Sequence, residues 1–474
     1  MEQGRNKKLL KDILIYGVGS LGAKLITFIL FPVYTFFIAP DNLGYYDNSL
    51  AAIFLLMPII NMQLRDGVFR FLIDNKDEGR RKDVINQSYS IIAIMAVVVS
   101  LLFIGLSAFT NIRYVGYIFG LLLIMSFYEV QIQVVRGLGH TKLYVVCGIL
   151  SALLISIFSI IFIVVLKWDI EGIFLANILA RLLVVGFIEL RLSVIRKYFS
   201  PKAGSKDTRT ALLRYCCPLI MVVTFLWIIG SSHKFFIYHY MGLYDNGLFA
   251  TALKFATIIE ILSLVIFQAW QETSVLQLEA KDRDKYYSSV LSSYLLVLTG
   301  IVITLSFLLK TFYPILVESK YADGTIFIYI LCVAGIGYAL QAFLSAIFQA
   351  KKDTMRMFYI ALASSVTSLA LNYFFIKHIG LMGAAIAYAL SFLFMFAYYL
   401  ISVQKIARIR FSIQTFIVSA LLLTGGGLIF YNTDNVLWRV TYWGICMVAI
   451  YMTLPKSTIH ETRKWILRKL KTEN

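Results

Sequence analysis

The chain has 474 residues, of which 59% are hydrophobic and 15% charged, and its mean hydropathy is +0.79. This composition excludes a soluble multidomain protein and indicates a polytopic membrane protein. The net charge of +18 would suggest nucleic-acid binding in a soluble chain. Here the basic residues flank apolar segments, so no nucleic acid is expected as a partner.

Apolar runs of about twenty residues recur without sustained alternation, which predicts spanning helices and not the strands of a barrel. About fourteen such helices are predicted, at residues 12–38, 45–64, 85–108, 114–137, 142–166, 170–192, 211–232, 246–270, 286–310, 324–349, 356–378, 382–402, 412–431 and 435–453. The first is too long for a signal peptide and lacks a cleavage site, so we expect it to be retained.

A duplicated pattern runs through these helices. Tyr-Asp-Asn-x-Leu begins at Tyr46 and again at Tyr244. Two more pairs follow in the same order, VVRGLGHTK (134–142) with IFQAKKDT (347–354) and EGIFLA (171–176) with MGAAIA (382–387). The offsets of 198, 213 and 211 residues indicate a duplicated unit with modest loop insertions. Because the copies begin in predicted helices 2 and 8, which cross in the same direction, two parallel six-helix units are expected.

This repeat predicts three parts of the chain. Residues 1–200 form an N-terminal six-helix lobe and residues 201–405 a C-terminal one. Residues 406–474 add two helices outside the duplication and a basic tail, in which residues 457–471 are expected to form an amphipathic helix on the anionic cytoplasmic leaflet.

The lysines and arginines predict the orientation. Alternate connections, starting with the N-terminal segment, carry 34 of them, whereas the opposite connections carry 7 and the helices themselves 3. Cytoplasmic loops are enriched in Lys and Arg, so both termini are expected in the cytoplasm.

Several apparent motifs are rejected. Gly17, Gly19 and Gly22 spell GxGxxG, but they lie inside an apolar helix and not after a strand, so a dinucleotide site is not expected. The five histidines are scattered and the five cysteines have no CxxC spacing, so neither a metal nor another cofactor is expected. The loops on the non-cytoplasmic side are too short for an enzyme domain, and no catalytic residues are proposed.

Three cations within the spans are the leading candidates for substrate binding, because intramembrane charges are costly and mark function by default. Lys24 lies near the middle of helix 1, Arg181 is central in helix 6, and Lys254 lies in helix 8. Together they suggest an internal cavity for an anion. The alternative is that each pairs with an acid, with Glu129 and Glu260 available.

Helix 2 is predicted to end in RDGVFRF, where Asp66 and Arg70 are spaced for a helical ion pair. In the functional interpretation, Arg65 and Arg70 form a cytoplasmic entrance for a charged head group; in the structural one, they and Asp66 close a helix end. Glu129 could couple to a proton or cation, although structural pairing is favoured.

These motifs, in this order, resemble the Wzx-type polysaccharide or O-antigen flippases of the multidrug/oligosaccharidyl-lipid/polysaccharide (MOP) exporter superfamily. The resemblance rests on LGYYDNSL and GLYDNGLFATALK, RDGVFRF, RGLGHTK, FQAKKDT and the small-residue starts of helices 6 and 12. It implies an all-α, MATE-like membrane fold of two six-helix bundles plus two helices. It also implies a cationic cavity, with Lys24 and Lys254 on helices from which the family's cavity cations come.

The expected function is therefore outward flipping of an undecaprenyl-diphosphate-linked oligosaccharide by alternating access in the bacterial cytoplasmic membrane. The expected partners are this substrate, membrane lipids and polysaccharide-assembly proteins. A MATE-like cation-coupled drug antiporter is the alternative, and a scaffold for membrane-bound glycosyltransferases is a third possibility.

Overall fold

The computed structural model describes residues 22, 26, 28–74, 77–109, 112–200, 204–351, 353–410 and 412–454. Within these residues the chain is helical, with no strand. The helices are α1 (Phe28–Phe37), α2 (Pro40–Ile60), α3 (Leu64–Asp74), α4 (Glu78–Phe109), α5 (Val115–Gly137), α6 (Thr141–Ser159), α7 (Ile170–Leu192), α8 (Val194–Tyr198), α9 (Lys206–Tyr240), α10 (Leu243–Ala256), α11 (Ile258–Leu276), α12 (Arg283–Leu316), α13 (Thr325–Ala350), α14 (Thr354–Ile379), α15 (Leu381–Val403), α16 (Ile413–Asn432) and α17 (Val436–Thr453).

Thirteen helical segments in the described chain are long and apolar enough to cross a membrane. They correspond to predicted helices 2 to 14, and of helix 1 the structure describes Phe28–Phe37. The all-α multispanning fold predicted from the sequence is confirmed. Large apolar side chains such as Leu101 and Ile401 remain 66% and 70% exposed, as expected where lipid replaces water around the protein.

The chain divides into two compact units, with the boundary between Trp227 and Ile228 inside α9. The three-part division made from the sequence stays a prediction. In the second unit, α16 and α17 pack on α12. Arg439 of α17 donates to the Thr311 hydroxyl of α12 at 3.0 Å, and Lys310 of α12 donates to the Thr433 carbonyl at 2.9 Å. These bonds attach the two added helices to the second unit.

The repeated small residues at the starts of α7 and α15 have a packing role. A Cβ at Gly383 would lie 2.0 Å from the Phe375 carbonyl oxygen, and one at Gly172 would lie 3.1 Å from the Phe162 Cβ. Each glycine lets its helix approach the preceding one closely. The match between the two copies therefore reflects the same helix contact made twice.

Candidate substrate-binding residues

The chain leaves helical geometry between α2 and α3. Met62 and Gln63 have φ angles of 49° and 50°, a conformation that costs a non-glycine residue about 1–2 kcal/mol. The break is held by the Asn61 side chain, whose Oδ1 accepts the Gln63 amide at 3.0 Å, and both residues are buried. At 1.5 Å per residue α2 is about 32 Å long, the thickness of the hydrocarbon core, so α3 continues past the far boundary.

The break places Arg65 at the start of α3, beside α5. Its Nη1 lies 3.1 Å from Glu129 Oε2, and its Nε lies 3.6 Å from Asp66 Oδ1. Asp66 also accepts the Gln63 side-chain amide at 2.7 Å, while Arg70 lies exposed on the same helix. Arg65 is 38% exposed, so it remains accessible to an anion although Glu129 is bound to it.

Arg181 lies eleven residues into α7, about 17 Å from its start and hence near mid-membrane. Its Nη1 donates to Asn177 Oδ1 at 2.8 Å and to the Asn177 carbonyl at 3.0 Å. Asn177 Nδ2 in turn donates to the Tyr46 hydroxyl at 3.2 Å. The guanidinium also lies 6.0 Å from the Tyr128 ring centre. The first tyrosine of the repeat pattern thus helps to position a half-buried cation.

Arg181 differs from Arg65 in its partners. Within the part of the chain that the structure describes, its hydrogen-bond acceptors are neutral, and Glu129 interacts with it electrostatically without forming an ion pair. A guanidinium carries five N–H donors in a planar fork, which suits a phosphate. Arg181 is therefore a candidate for binding a phosphate anion.

The second unit carries a different arrangement. Lys254 lies in the last turn of α10, and its carbonyl accepts the Thr257 hydroxyl at 2.7 Å where α10 gives way to α11. Glu260, in the first turn of α11, accepts the Tyr388 hydroxyl of α15 at 3.0 Å. The ring centre of His233 lies 5.2 Å from that of Tyr388. This cluster combines an acid, a phenol and an imidazole.

His233 is fully buried, and neither of its ring nitrogens has a hydrogen-bond partner in the described chain. The sequence analysis rejected a histidine cluster because the five histidines are scattered along the chain, and Tyr388 belongs to no recognisable motif. A signal was nevertheless present: the 211-residue offset pairs Tyr388 with Asn177, the residue that holds Arg181. Lys24, predicted as a cavity cation, lies outside the described residues.

A tyrosine near the start of each repeat also holds a neighbouring loop. The Tyr45 hydroxyl donates to the Arg113 carbonyl, and the Tyr244 hydroxyl donates to the Lys320 carbonyl at 3.2 Å. Each bond ties the start of a repeat to the loop before α5 or α13. The two tyrosines are not equivalent in the repeat, because Tyr46 and not Tyr45 aligns with Tyr244 in the Tyr-Asp-Asn pattern.

The candidate residues are charged and can bind ions. Among the described residues there is no group of three or more His, Cys, Asp or Glu that could hold a metal ion. The first unit offers the Arg65–Glu129 pair and the Arg181 cluster; the second offers Lys254 and the Glu260 cluster. Each arrangement suits reversible binding of an ion or an ionic ligand.

Comparison with known proteins gives one family match. A family described as "Polysaccharide biosynthesis protein" matches residues 9–271, more than half of the chain. No curated protein matches the sequence significantly.

Solved structures give matches over most of the chain. One described as "Lipid II flippase MurJ, inward closed conformation" has a TM-score of 0.67 and 15% identity, covering 93% of this chain and 97% of that one. An inward-facing multidrug resistance MATE family transporter of the MOP superfamily has a TM-score of 0.65 and 14% identity, with coverages of 87% and 96%. A MOP superfamily transporter from Pyrococcus furiosus has a TM-score of 0.59 and 15% identity, with coverages of 89% and 97%. At these identities the likeness shows the fold alone.

Proposed function

The chain belongs to the polysaccharide biosynthesis protein family, and we propose that it is a flippase that moves a lipid-linked oligosaccharide outward across the bacterial cytoplasmic membrane. The proposed substrate is an oligosaccharide on undecaprenyl diphosphate, used for surface polysaccharide such as O-antigen. The family match and the fold shared with a lipid II flippase support this proposal. Membrane lipids and polysaccharide-assembly proteins are the proposed partners.

The physical problem in this reaction is the diphosphate. The isoprenoid tail can stay in the hydrocarbon, but a charged head group cannot cross it without several kcal/mol of compensation. The observation that carries the proposal is Arg181, a cation near mid-membrane whose described hydrogen-bond acceptors are neutral. A phosphate there would gain charge-assisted hydrogen bonds without first displacing a carboxylate.

Arg65 would act earlier in the same passage. It lies at the start of α3, on the side that the Lys and Arg distribution predicts to be cytoplasmic, with Arg70 exposed five residues further along the same helix. An arriving diphosphate would compete with Glu129 for the Arg65 guanidinium. Lys24 and Lys254 would supply further cations, and alternating access would open the path to each side in turn.

The Glu260 cluster favours a second candidate, a cation-coupled antiporter for small molecules, as in the MATE family. A carboxylate bound to a buried phenol next to a buried imidazole is chemistry suited to a proton or a cation. The two candidates differ in cargo. A flippase needs Arg181 for its cargo, whereas an antiporter for cationic compounds needs Glu260.

Polysaccharide export tests the proposal. In a strain that lacks its own copy of this gene, the native chain should restore surface polysaccharide. Arg181→Gln should reduce that polysaccharide strongly at equal membrane protein level, and Lys281→Gln, an exposed loop cation, should not. Full export by Arg181→Gln would remove the main support for the proposal.

A further inference from the structure

A groove of about 370 Å³ lies between α14 and α15 of the second unit. None of its residues belongs to the candidate binding residues above. It is lined by Arg356, Tyr359, Ile360, Ala363, Tyr398, Ile401, Ser402 and Lys405. The two cations, Arg356 and Lys405, lie at the same end of the groove.

The basic end contains Arg356, in the first turn of α14, and Lys405, two residues after α15. Arg356 Nε lies 3.1 Å from Asp353 Oδ2, but its Nη1 is buried without a hydrogen-bond partner. Lys405 is exposed, with no ion-pair partner among the described residues. Two cations and one carboxylate leave this end with a net positive charge and an unsatisfied guanidinium nitrogen.

The rest of the groove is lined mainly by apolar side chains, and the Tyr398 hydroxyl there is hydrogen-bonded to Thr367. Ile360 and Ala363 of α14 face the same groove as Ile401 of α15. Ile401 is 70% exposed and Tyr359 is 59% exposed, as expected of side chains on a lipid-covered surface. From Arg356 to Ala363 the groove extends over seven residues, about 10 Å. That length fits within one leaflet of a core about 30 Å thick.

We propose that this groove binds one anionic phospholipid of the bilayer. The phosphate would lie between Arg356 and Lys405, and an acyl chain would follow Ile360, Ala363 and Ile401. Basic pockets between spanning helices on the cytoplasmic side are suited to anionic head groups. Arg356 and Lys405 belong to the connections predicted to be cytoplasmic, so the lipid would come from the inner leaflet.

The shape of the groove favours a resident bilayer lipid over a substrate that crosses the membrane. It has cations at one end only, and its length of about 10 Å fits within one leaflet. A substrate that must cross the membrane needs polar groups along its whole path, whereas a resident lipid needs a polar head site and an apolar slot. The site is separate from the proposed function, since it would stabilise α14 and α15 whatever cargo the protein carries.

Native mass spectrometry of the purified full-length chain tests the site, with phosphatidylglycerol and phosphatidylcholine as probes. The native chain should bind phosphatidylglycerol more tightly than the zwitterionic lipid. Each cation contributes about fivefold near a membrane surface, so Arg356→Gln or Lys405→Gln should weaken binding about fivefold and the double variant about thirtyfold. Arg356→Lys should retain most of the binding because it keeps the charge.

Two further variants separate site binding from general attraction. Arg408→Gln removes an exposed cation of the same loop that does not line the groove, and it should leave phosphatidylglycerol binding unchanged. Ala363→Trp keeps both cations but fills the apolar slot, and it should reduce binding. Equal binding by the double variant and Arg408→Gln would overturn the proposal. So would displacement of phosphatidylglycerol from the native chain by equimolar undecaprenyl diphosphate, which would assign the groove to the substrate.

Discussion

Equivalent positions in the two units contact side chains of opposite charge. Asn177 in α7 and Tyr388 in α15 are 211 residues apart, the offset of their glycine motifs. In the first unit Asn177 holds the Arg181 guanidinium; in the second, Tyr388 donates to the Glu260 carboxylate. The duplication has kept the helix contacts and changed the polar residues. Packing therefore sets the framework in both units, and a few substitutions set the charge that each one can bind.

A similar contrast appears at the ends predicted to be cytoplasmic. In the first unit α3 and α5 are joined by the charged pair Arg65–Glu129 at 3.1 Å. In the second, α11 and α13 are joined by a neutral pair, with the Gln271 side-chain amide donating to Gln349 Oε1 at 2.5 Å. A neutral pair can hold helices together equally well. Helix packing therefore does not require the charges of Arg65 and Glu129, which are available for a further role.

The largest effect is expected at Arg181. A charge-assisted hydrogen bond is worth about 1.5–3 kcal/mol, so Arg181→Gln should lower transport roughly ten- to hundredfold. Arg181→Lys should keep part of the activity because it retains the charge but loses the planar fork. Export measured against membrane protein level checks this. Loss of the protein in proportion to loss of export would show a structural role instead.

Lys24 and Lys254 should behave as point charges for the same anion. Lys254→Gln should reduce transport about tenfold, the Lys24→Gln change similarly, and the double variant more. Lys254→Arg should retain much of the activity. Full export by both single variants and the double variant would contradict a role for these lysines in substrate binding.

Variants of Glu260 test whether the second unit binds a coupling ion. If the second unit binds a coupling proton or cation, Glu260→Gln should abolish the dependence of transport on an imposed ion gradient while leaving Arg181-dependent substrate binding intact. Tyr388→Phe, which removes only the hydroxyl that donates to Glu260, should have a smaller effect of the same kind. Transport driven equally well in both variants, across pH and sodium gradients, would reduce the cluster to a packing contact.

The Arg65–Glu129 pair should show a smaller effect. Arg65→Glu places two carboxylates together and removes an entrance cation, so we expect roughly fivefold lower transport, about 1 kcal/mol. The charge-swapped double variant Arg65→Glu/Glu129→Arg restores the pair. If it restores stability but not transport, Arg65 serves the substrate; if it restores both, the pair is structural. Gln271→Ala in the second unit is the matched control and should leave transport near normal.

The orientation can be read from thiol labelling. In a background with the exposed Cys217 changed to serine, cysteines at the exposed positions Asp323 and Asn435 should react with an impermeant reagent added outside intact cells. Cysteines at the exposed positions Lys281 and Arg408 should react only after the membrane is opened. The reverse pattern would invert the predicted topology and move Arg65 to the outer side.

The smallest effect is expected at Asp434, in the loop between α16 and α17. The hydrogen bond from Lys310, at 2.9 Å, lowers the pKa of this carboxyl below its ordinary value of 3.8. Its stabilising contribution is present above that value and is lost as the pH falls through the lowered pKa. Asp434→Asn should slightly lower the melting temperature at pH 7, and this difference should vanish in strong acid. A difference that persists there would argue against the ion pair.

Much of the fold could be predicted from the amino-acid composition of individual segments. Apolar runs located the spans because every lipid-exposed helix must be apolar, and the Gly172 and Gly383 motifs marked a contact that only a small residue permits. Fold and family were therefore predictable. The duplicated order of these motifs added the relation between the two sets of helices.

The polar contacts were harder to predict because they depend on the tertiary structure. The spacing of Asp66 and Arg70 predicts contacts along one helix, but it could not predict that Arg65 meets Glu129, 64 residues away. The break at Met62 and Gln63 could not be recognised from the sequence, because neither residue is a glycine. The contact between Tyr388 and Glu260 joins α15 to α11, a pairing that no local pattern encodes.

In the proposed function, the cargo is a lipid-linked oligosaccharide and Arg181 binds its diphosphate. The most direct measurement uses purified protein in liposomes that contain a fluorescently labelled undecaprenyl-diphosphate oligosaccharide, with an enzyme outside that removes only the label facing it. The native chain should make nearly all of the label accessible, Lys281→Gln should do the same, and Arg181→Gln should leave about half protected in the inner leaflet over the time of the assay. Equal protection with the native chain and with empty liposomes would contradict the claim, as would full access with Arg181→Gln.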